Sequence, residues 1–155
     1  MVAGYLHRVK VSSLLILHRW AEAAVPAREL VRGRPRPDDK SRRALDDLAS
    51  GRALAGVALA RGGFTEEARA LLDLAKEPIE TQRAAGAGSP FNRYAYALLT
   101  FGRGLVEAGR LEQQRLFTAA LADLTSMPAE PQKLRSVREL RKAVEQELAR
   151  LGGAD

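Results

Sequence analysis

The sequence predicts an all-α fold of about six or seven helices, arranged as antiparallel helical hairpins or a helical bundle. Three observations carry this. Leucine and alanine supply most of the apolar residues, while aromatics make up only 5% of the chain and β-branched residues are scarce, a balance that favours helix over strand. Apolar residues recur at three- and four-residue spacing, as in Leu134, Val137, Val144, Leu148 and Leu151. Glycine, proline and capping residues stand between these stripes and divide the chain into helix-sized pieces.

The first piece, over residues 3–24, carries Leu6, Leu14, Leu17 and Trp20 at helical spacing, with Val9, Val11 and Ile16 as a minority strand signal. Pro26 suits the opening of a short turn that Gly33 closes. The run Arg32-Gly33-Arg34-Pro35-Arg36-Pro37 reads as a linker, because each proline removes a donor and pushes its neighbour extended. A basic N-terminal helix and linker over 1–36 therefore precede a helical-hairpin region over 37–155. Asp38 is a suitable N-cap for the next helix, with Asp39 in its first turn. Leu45, Leu48 and Ala49 give that helix a buried face, and Ser50-Gly51 is a candidate interruption before residues 53–60. Gly62-Gly63 ends the element, and Thr65 is the expected cap of the following helix.

Glu66 and Glu67 sit at the positive end of that helix, and Ala68, Leu71, Leu72 and Ala75 form its stripe. Pro78 is expected to end or kink it, with residues 84–88 a loop. Ser89-Pro90 is a start signal, a capping hydroxyl followed by proline in the first helical position. Phe91, Tyr94, Ala95, Leu98, Gly102, Leu105 and Val106 then share one face, with Gly109 as the expected end. Another helix over 111–124 uses Phe117, Leu121 and Leu124. The last runs from about Pro131 to Leu151, with Arg141 inside its apolar stripe and Leu140 widening it. Gly152-Gly153 closes it.

Length and composition narrow the function. At 155 residues the chain is the size of one domain. Without cysteine, disulfides, thiolate chemistry and most structural zinc sites are excluded. The longest apolar run, Leu14-Leu15-Ile16-Leu17, is too short to cross a bilayer. No secretory pattern is visible around Arg8 and Lys10, so a cytoplasmic protein is expected. Of the net charge of +6, residues 1–36 hold seven cations against Glu22 and Glu29. This excess favours acidic partners, although arginine beside alanine is also what a GC-rich genome produces.

Two segments look alike. Leu54–Gly63 places Gly56 inside a helix and Gly63 at its end, before a helix beginning Thr65-Glu66-Glu67-Ala68. Residues 100–109 repeat the pattern with Gly102 and Gly109. Glycine in mid-helix costs about 1 kcal/mol relative to alanine, and close approach of the returning helix is the simplest compensation. On Gly56, Gly63, Ala68 and Ala75, and on Gly102 and Gly109, the sequence resembles a tetratricopeptide repeat over about residues 50–125. The second copy has Gln114 and Leu121 where the alanines would fall. The repeat offset exceeds the family's period of about 34 residues, and the loop from Pro78 to Ser89 would supply the extra length. The resemblance implies a binding surface on the inner face of each first helix: Ala53, Val57, Ala60 and Arg61, then Tyr96, Leu99, Arg103 and Val106. It implies a peptide or partner helix as ligand, with the arginines gripping a carboxylate. The alternative is that Leu99 and Val106 are core and the arginines solvated.

No catalytic constellation is visible, and no cofactor or metal is expected. His7 and His18 would lie about 16 Å apart on one helix, too far to share an ion. Asp38-Asp39, Asp46-Asp47 and Glu66-Glu67 diverge by about 100° within each pair. Gly102-Arg103-Gly104 lies within a helix, so it is no nucleotide fingerprint. Arg32-Gly33-Arg34-Pro35 is similar to the core of an AT-hook, which implies Arg32, Arg34 and Arg36 as candidate nucleic-acid contacts. The leading expectation is a non-enzymatic adaptor, alone or as a subunit of a larger complex. The alternative is a small basic subunit of a ribonucleoprotein complex, with no membrane involved in either case.

Overall fold

The computed structural model describes residues 8, 10, 11, 14, 19–32, 42–85 and 90–152. The expected cap at Asp38-Asp39, the start at Ser89, both histidines, and Arg34 and Arg36 of the basic linker lie outside these residues. Among the described residues the fold is all-α, with seven helices and no strand: α1 (Trp20–Arg32), α2 (Arg42–Arg61), α3 (Thr65–Ala84), α4 (Pro90–Val106), α5 (Arg110–Thr125), α6 (Ala129–Gln132) and α7 (Arg135–Gly152). Helices α2 and α3 form one hairpin, α4 and α5 a second. Helix α4 packs on both members of the first hairpin, α1 lies against α2, and α7 returns onto α5 with an edge on α4.

The first element departs from expectation. No turn begins at Pro26; α1 runs through it, burying Ala23, Ala24, Pro26 and Ala27. Pro26 leaves the carbonyl of Glu22 without its usual helical donor, and Glu22 is exposed, so water can satisfy that oxygen. The small buried side chains let α1 lie close to α2, where Leu30 sits 3.8 Å from the position a Cβ on Gly51 would take. Ser50 and Gly51 therefore do not interrupt α2. Both are buried within it, and Ser50 Oγ accepts a hydrogen bond from Arg8 Nη1 at 3.2 Å. From Ala49 to Leu59 only Arg52 is not buried. A helix apolar all round must be enclosed, and α2 has α1, α3 and α4 about it.

Gly63 ends α2 as expected, with φ at +89°. The Phe64 amide bonds Leu59 O at 2.8 Å and the Gly63 amide bonds Ala60 O at 3.2 Å, the paired 6→1 and 5→2 bonds of a left-handed C-terminal cap. Phe64, not Thr65, then occupies the N-cap position of α3, with no side-chain cap. Pro78 does not end α3 either. The carbonyl it leaves without a donor belongs to Leu74, which faces solvent, and the helix continues to Ala84 while Ile79 and Gln82 remain buried. Gly109 opens α5 in an extended conformation rather than closing α4, which stops at Val106. The last expected helix is two: Lys133 and Leu134 separate α6 from α7, so Leu134 is exposed and not part of the buried stripe.

Helix α4 is the centre of the molecule. Two residues along a helix turn it by about 200°, so Gly102 and Gly104 face nearly opposite ways. A Cβ at Gly102 would meet Leu72 of α3 at 2.7 Å, and one at Gly104 would meet the Phe117 ring of α5 at 2.5 Å. A Cβ at Gly56 would likewise meet Leu72 at 2.7 Å, so one side chain fills the gap left by two glycines. Phe117 and Phe101 stack at 5.6 Å between centroids, tilted by 48°. Glycine thus lets α4 be approached closely from both flanks.

Candidate functional site

A concavity lies between α2, α4 and α7. Leu54, Val57 and Arg61 of α2 form one wall, and Tyr94, Leu98 and Phe101 of α4 the floor. Leu140 and Ala143 of α7 form the opposite wall, with Trp20 at one end. Ser136, Glu139, Lys142 and Gln146 supply its polar edge along α7. The cavity volume is about 80 Å³, well below the roughly 300–1,000 Å³ of small-molecule and cofactor pockets. An aliphatic or aromatic side chain suits it better than a cofactor.

One ion pair joins α2 to α7 beside this recess. Arg61 Nη1 donates to Glu147 Oε1 at 2.9 Å, with the two side chains only 15% and 13% exposed. The guanidinium lies 4.9 Å from the Trp20 ring centroid and 5.3 Å from that of Phe101. Arg150 Nε donates to the other oxygen of Glu147. Arg61 is thus held by a carboxylate and two rings, and it ties α7 to the end of α2. Tyr94 is partly buried on the floor. Burial pushes its phenol up to about 12, while a hydrogen bond with Ser136 and the charge of Arg8 pull it the other way.

The residues chosen from the repeat resemblance are divided by α4. Val57 and Arg61 line the recess. Ala53 is core, and Ala60 is partly buried against it. Tyr96 and Arg103 lie on the other flank, between α3 and α5. Leu99 is 1% exposed and belongs to the core, so it does not present a surface to a partner. Val106 packs against the core at the end of α4, where its carbonyl accepts from Arg69 Nη2 at 2.8 Å. Arg32 is exposed and paired with Glu29 at 2.7 Å.

The displacement on α4 has a definite cause. Matching Gly102 to Gly56 placed the inner face at Tyr96, Leu99, Arg103 and Val106. Gly56 receives a side chain from its own hairpin partner, α3, and the glycine that receives one from α5 is Gly104. A register two residues further on selects Leu98, Phe101 and Leu105, two of which line the recess. Tyr94 and Leu98 were visible as an apolar stripe, but nothing local marks that stripe as open on one side. Trp20 and the α7 residues reach the site only through tertiary packing.

On the α3–α5 flank the charges satisfy one another. Arg83 Nη1 is 2.7 Å from both oxygens of Asp123, and its guanidinium covers the Tyr96 ring at 3.8 Å. Arg103 reaches Glu80 at 3.9 Å. Arg115 holds Glu112 at 2.5 Å; that hydrogen bond, with the Coulombic pull of Arg115 and then of Arg103, keeps the Glu112 carboxyl below its ordinary range. Among the described residues, no group of three or more His, Cys, Asp or Glu is placed to hold a metal, and no helix is long and apolar enough to cross a membrane. Comparison with protein-family models, with curated proteins and with solved structures finds no match.

Proposed function

We propose that this chain is a non-enzymatic protein-interaction module of tetratricopeptide-like helical hairpins, which seats a peptide or partner helix in the recess between α2, α4 and α7. The observation that carries the reading is the recess itself. Its walls are apolar, its volume suits one anchoring side chain, and its rim is polar, the usual anatomy of a helix-in-groove or peptide site. Further support comes from the packing of α4 on both helices of the preceding hairpin, and from the glycine-mediated approach within each hairpin.

The test is capture from native cell extract after nuclease treatment, comparing the unaltered chain with Ala143→Arg, which fills the recess, and with Arg103→Ala on the opposite flank. A protein retained by the unaltered chain and by Arg103→Ala, but lost with Ala143→Arg, is the expected result. Equal retention by all three would end the reading. The second reading, a small basic subunit of a ribonucleoprotein complex in the cytoplasm, is favoured by the net charge of +6 and by exposed cations on α7. It requires that capture disappear with nuclease and that affinity fall steeply with salt.

A further inference from the structure

We infer that the partner seated in this recess is an acidic amphipathic helix. An apolar side chain of that helix would enter against Leu54, Leu98 and Ala143, beside Trp20, and its carboxylates would run along Arg135, Arg138 and Lys142. The inference rests on the reading of the recess as a protein-binding site and assigns the chemistry of what fills it.

The three cations stand at i, i+3 and i+7 on α7, so they form one stripe about 10 Å long, or two turns. Lys142 lines the recess, and the stripe continues from it along the outer edge of that wall. All three are exposed. Among the described residues none of them makes an ion pair or a side-chain hydrogen bond, whereas the neighbouring Arg141 is held by Glu145 and Arg150 by Glu147. Among the described residues Glu139 is the only carboxylate lining the recess, so with Arg135 and Arg138 beside Lys142 the rim keeps a net +2. Partner carboxylates at matching i, i+3 and i+7 positions would meet it, with one donor opposite Glu139.

A second observation comes from where two of these cations sit. The first turns of α1, α3 and α5 carry Glu22, Glu66 and Glu67, and Glu112, as the helix dipole favours, whereas those of α2 and α4 carry no acid. The first turn of α7 carries no acid, and Arg135 and Arg138 occupy it instead. Cations at that end weaken the helix slightly, so they leave their charge turned to solvent at no gain to folding. Phosphates could meet the same stripe, but the apolar recess beside it offers nothing to a sugar–phosphate chain. An apolar side chain on a helix uses both features.

Trp20 is the only tryptophan and lines the recess, so its fluorescence reports occupancy. The full chain is titrated with a synthetic helix of about 18 residues, long enough to be helical alone, carrying a leucine and phenylalanine stripe and glutamates. A twin with lysine for glutamate and a single-stranded oligonucleotide are run beside it. The expected result is a Trp20 response to the acidic helix at roughly tenfold or greater preference over its twin, weakened by salt. Arg135→Glu/Arg138→Glu/Lys142→Glu should weaken binding by roughly tenfold while slightly raising the melting temperature, because acids suit that helix end. Arg52→Glu, on the other side of α2, should leave binding unchanged.

Equal binding of the lysine twin with a Trp20 response would overturn the acidic assignment and leave the recess reading standing. Silence of Trp20 with both peptides would overturn both. An oligonucleotide that binds tighter than the acidic helix, and is lost in the triple variant, would overturn the inference in favour of nucleic acid.

Discussion

The two flanks of α4 are built from similar residue types and do opposite things with them. On the α3–α5 flank, Arg83, Arg103 and Arg115 each meet a carboxylate, and Tyr96 is covered by a guanidinium. On the α2–α7 flank Arg61 pairs with Glu147 beside a recess whose walls are apolar and whose edge along α7 is polar. A surface whose charges are mutually satisfied has little to gain from a partner, because each new contact must first break an existing one. A recess with apolar walls and a rim of cations that are unpaired among the described residues gains from being covered. Arginine content alone does not distinguish the two.

The comparison breaks most severely at Glu147. Replacing it with leucine leaves Arg61 largely enclosed without its carboxylate, and a loss of roughly 3 kcal/mol is expected in urea unfolding, within the range for a broken buried pair. The double variant Arg61→Met/Glu147→Leu should recover most of that loss, since removing both charges also removes both desolvation penalties. If the single variant is neutral, the pair is not what ties α7 to α2.

The glycines sharpen the contrast between flanks. Gly104→Ala drives a Cβ into the rigid Phe117 ring at 2.5 Å, and Gly102→Ala meets the end of the flexible Leu72 side chain at 2.7 Å. Alanine returns up to about 1 kcal/mol of helix propensity in both cases. Overpacking against the ring should still leave Gly104→Ala destabilised by about 2 kcal/mol, with Gly102→Ala nearer to neutral. Thermal melts of the two variants decide it, and an equal loss would mean that Leu72 is as confined as the ring.

These glycines also mark how much of the structure was legible in the sequence. Their mid-helix positions announced close approach, and the helix count followed from periodicity and caps. Which glycine faced which neighbour was not legible, because a two-residue change in register reverses the face presented and no local signal fixes it. Tyr96 and Arg103 accordingly lie on the α3–α5 flank, Leu99 in the core and Phe101 beside the recess. The prolines follow a related logic, where a turn is expected at Pro26 and an end or a kink at Pro78. Pro26 and Pro78 remain within helices because the carbonyls they leave without donors belong to Glu22 and Leu74, both exposed to water, a fact of tertiary position. Trp20 and the α7 rim depend on contacts between distant parts of the chain.

On the recess floor, Tyr94 provides a pH test. Its folded phenol titrates near 12 against an ordinary 10. Its contribution to stability is therefore complete below about pH 10 and is lost as pH rises towards 12, at no more than about 1.4 kcal/mol per pH unit. Tyr94→Phe should start less stable, without the Ser136 hydrogen bond, yet lose less between pH 10 and 12. Parallel alkaline unfolding curves for the two chains would show that the phenol is not shielded.

The smallest effects are expected on the paired flank, and their order tests why it is closed to partners. Asp123 is 11% exposed and receives Arg83 on both oxygens. Arg83→Ala would leave that carboxylate poorly hydrated and should cost about 1 kcal/mol, less than for a fully buried pair because the arginine itself is half exposed. Arg103 meets Glu80 at 3.9 Å with both groups reachable by solvent, so Arg103→Ala should cost less than about 0.5 kcal/mol. Urea unfolding at low and high salt separates the two, since only the second pair should be erased by screening. A larger loss at Arg103 than at Arg83 would make the loosest pair the structural one. The idea that this flank is self-satisfied would then fail where it is most exposed to solvent.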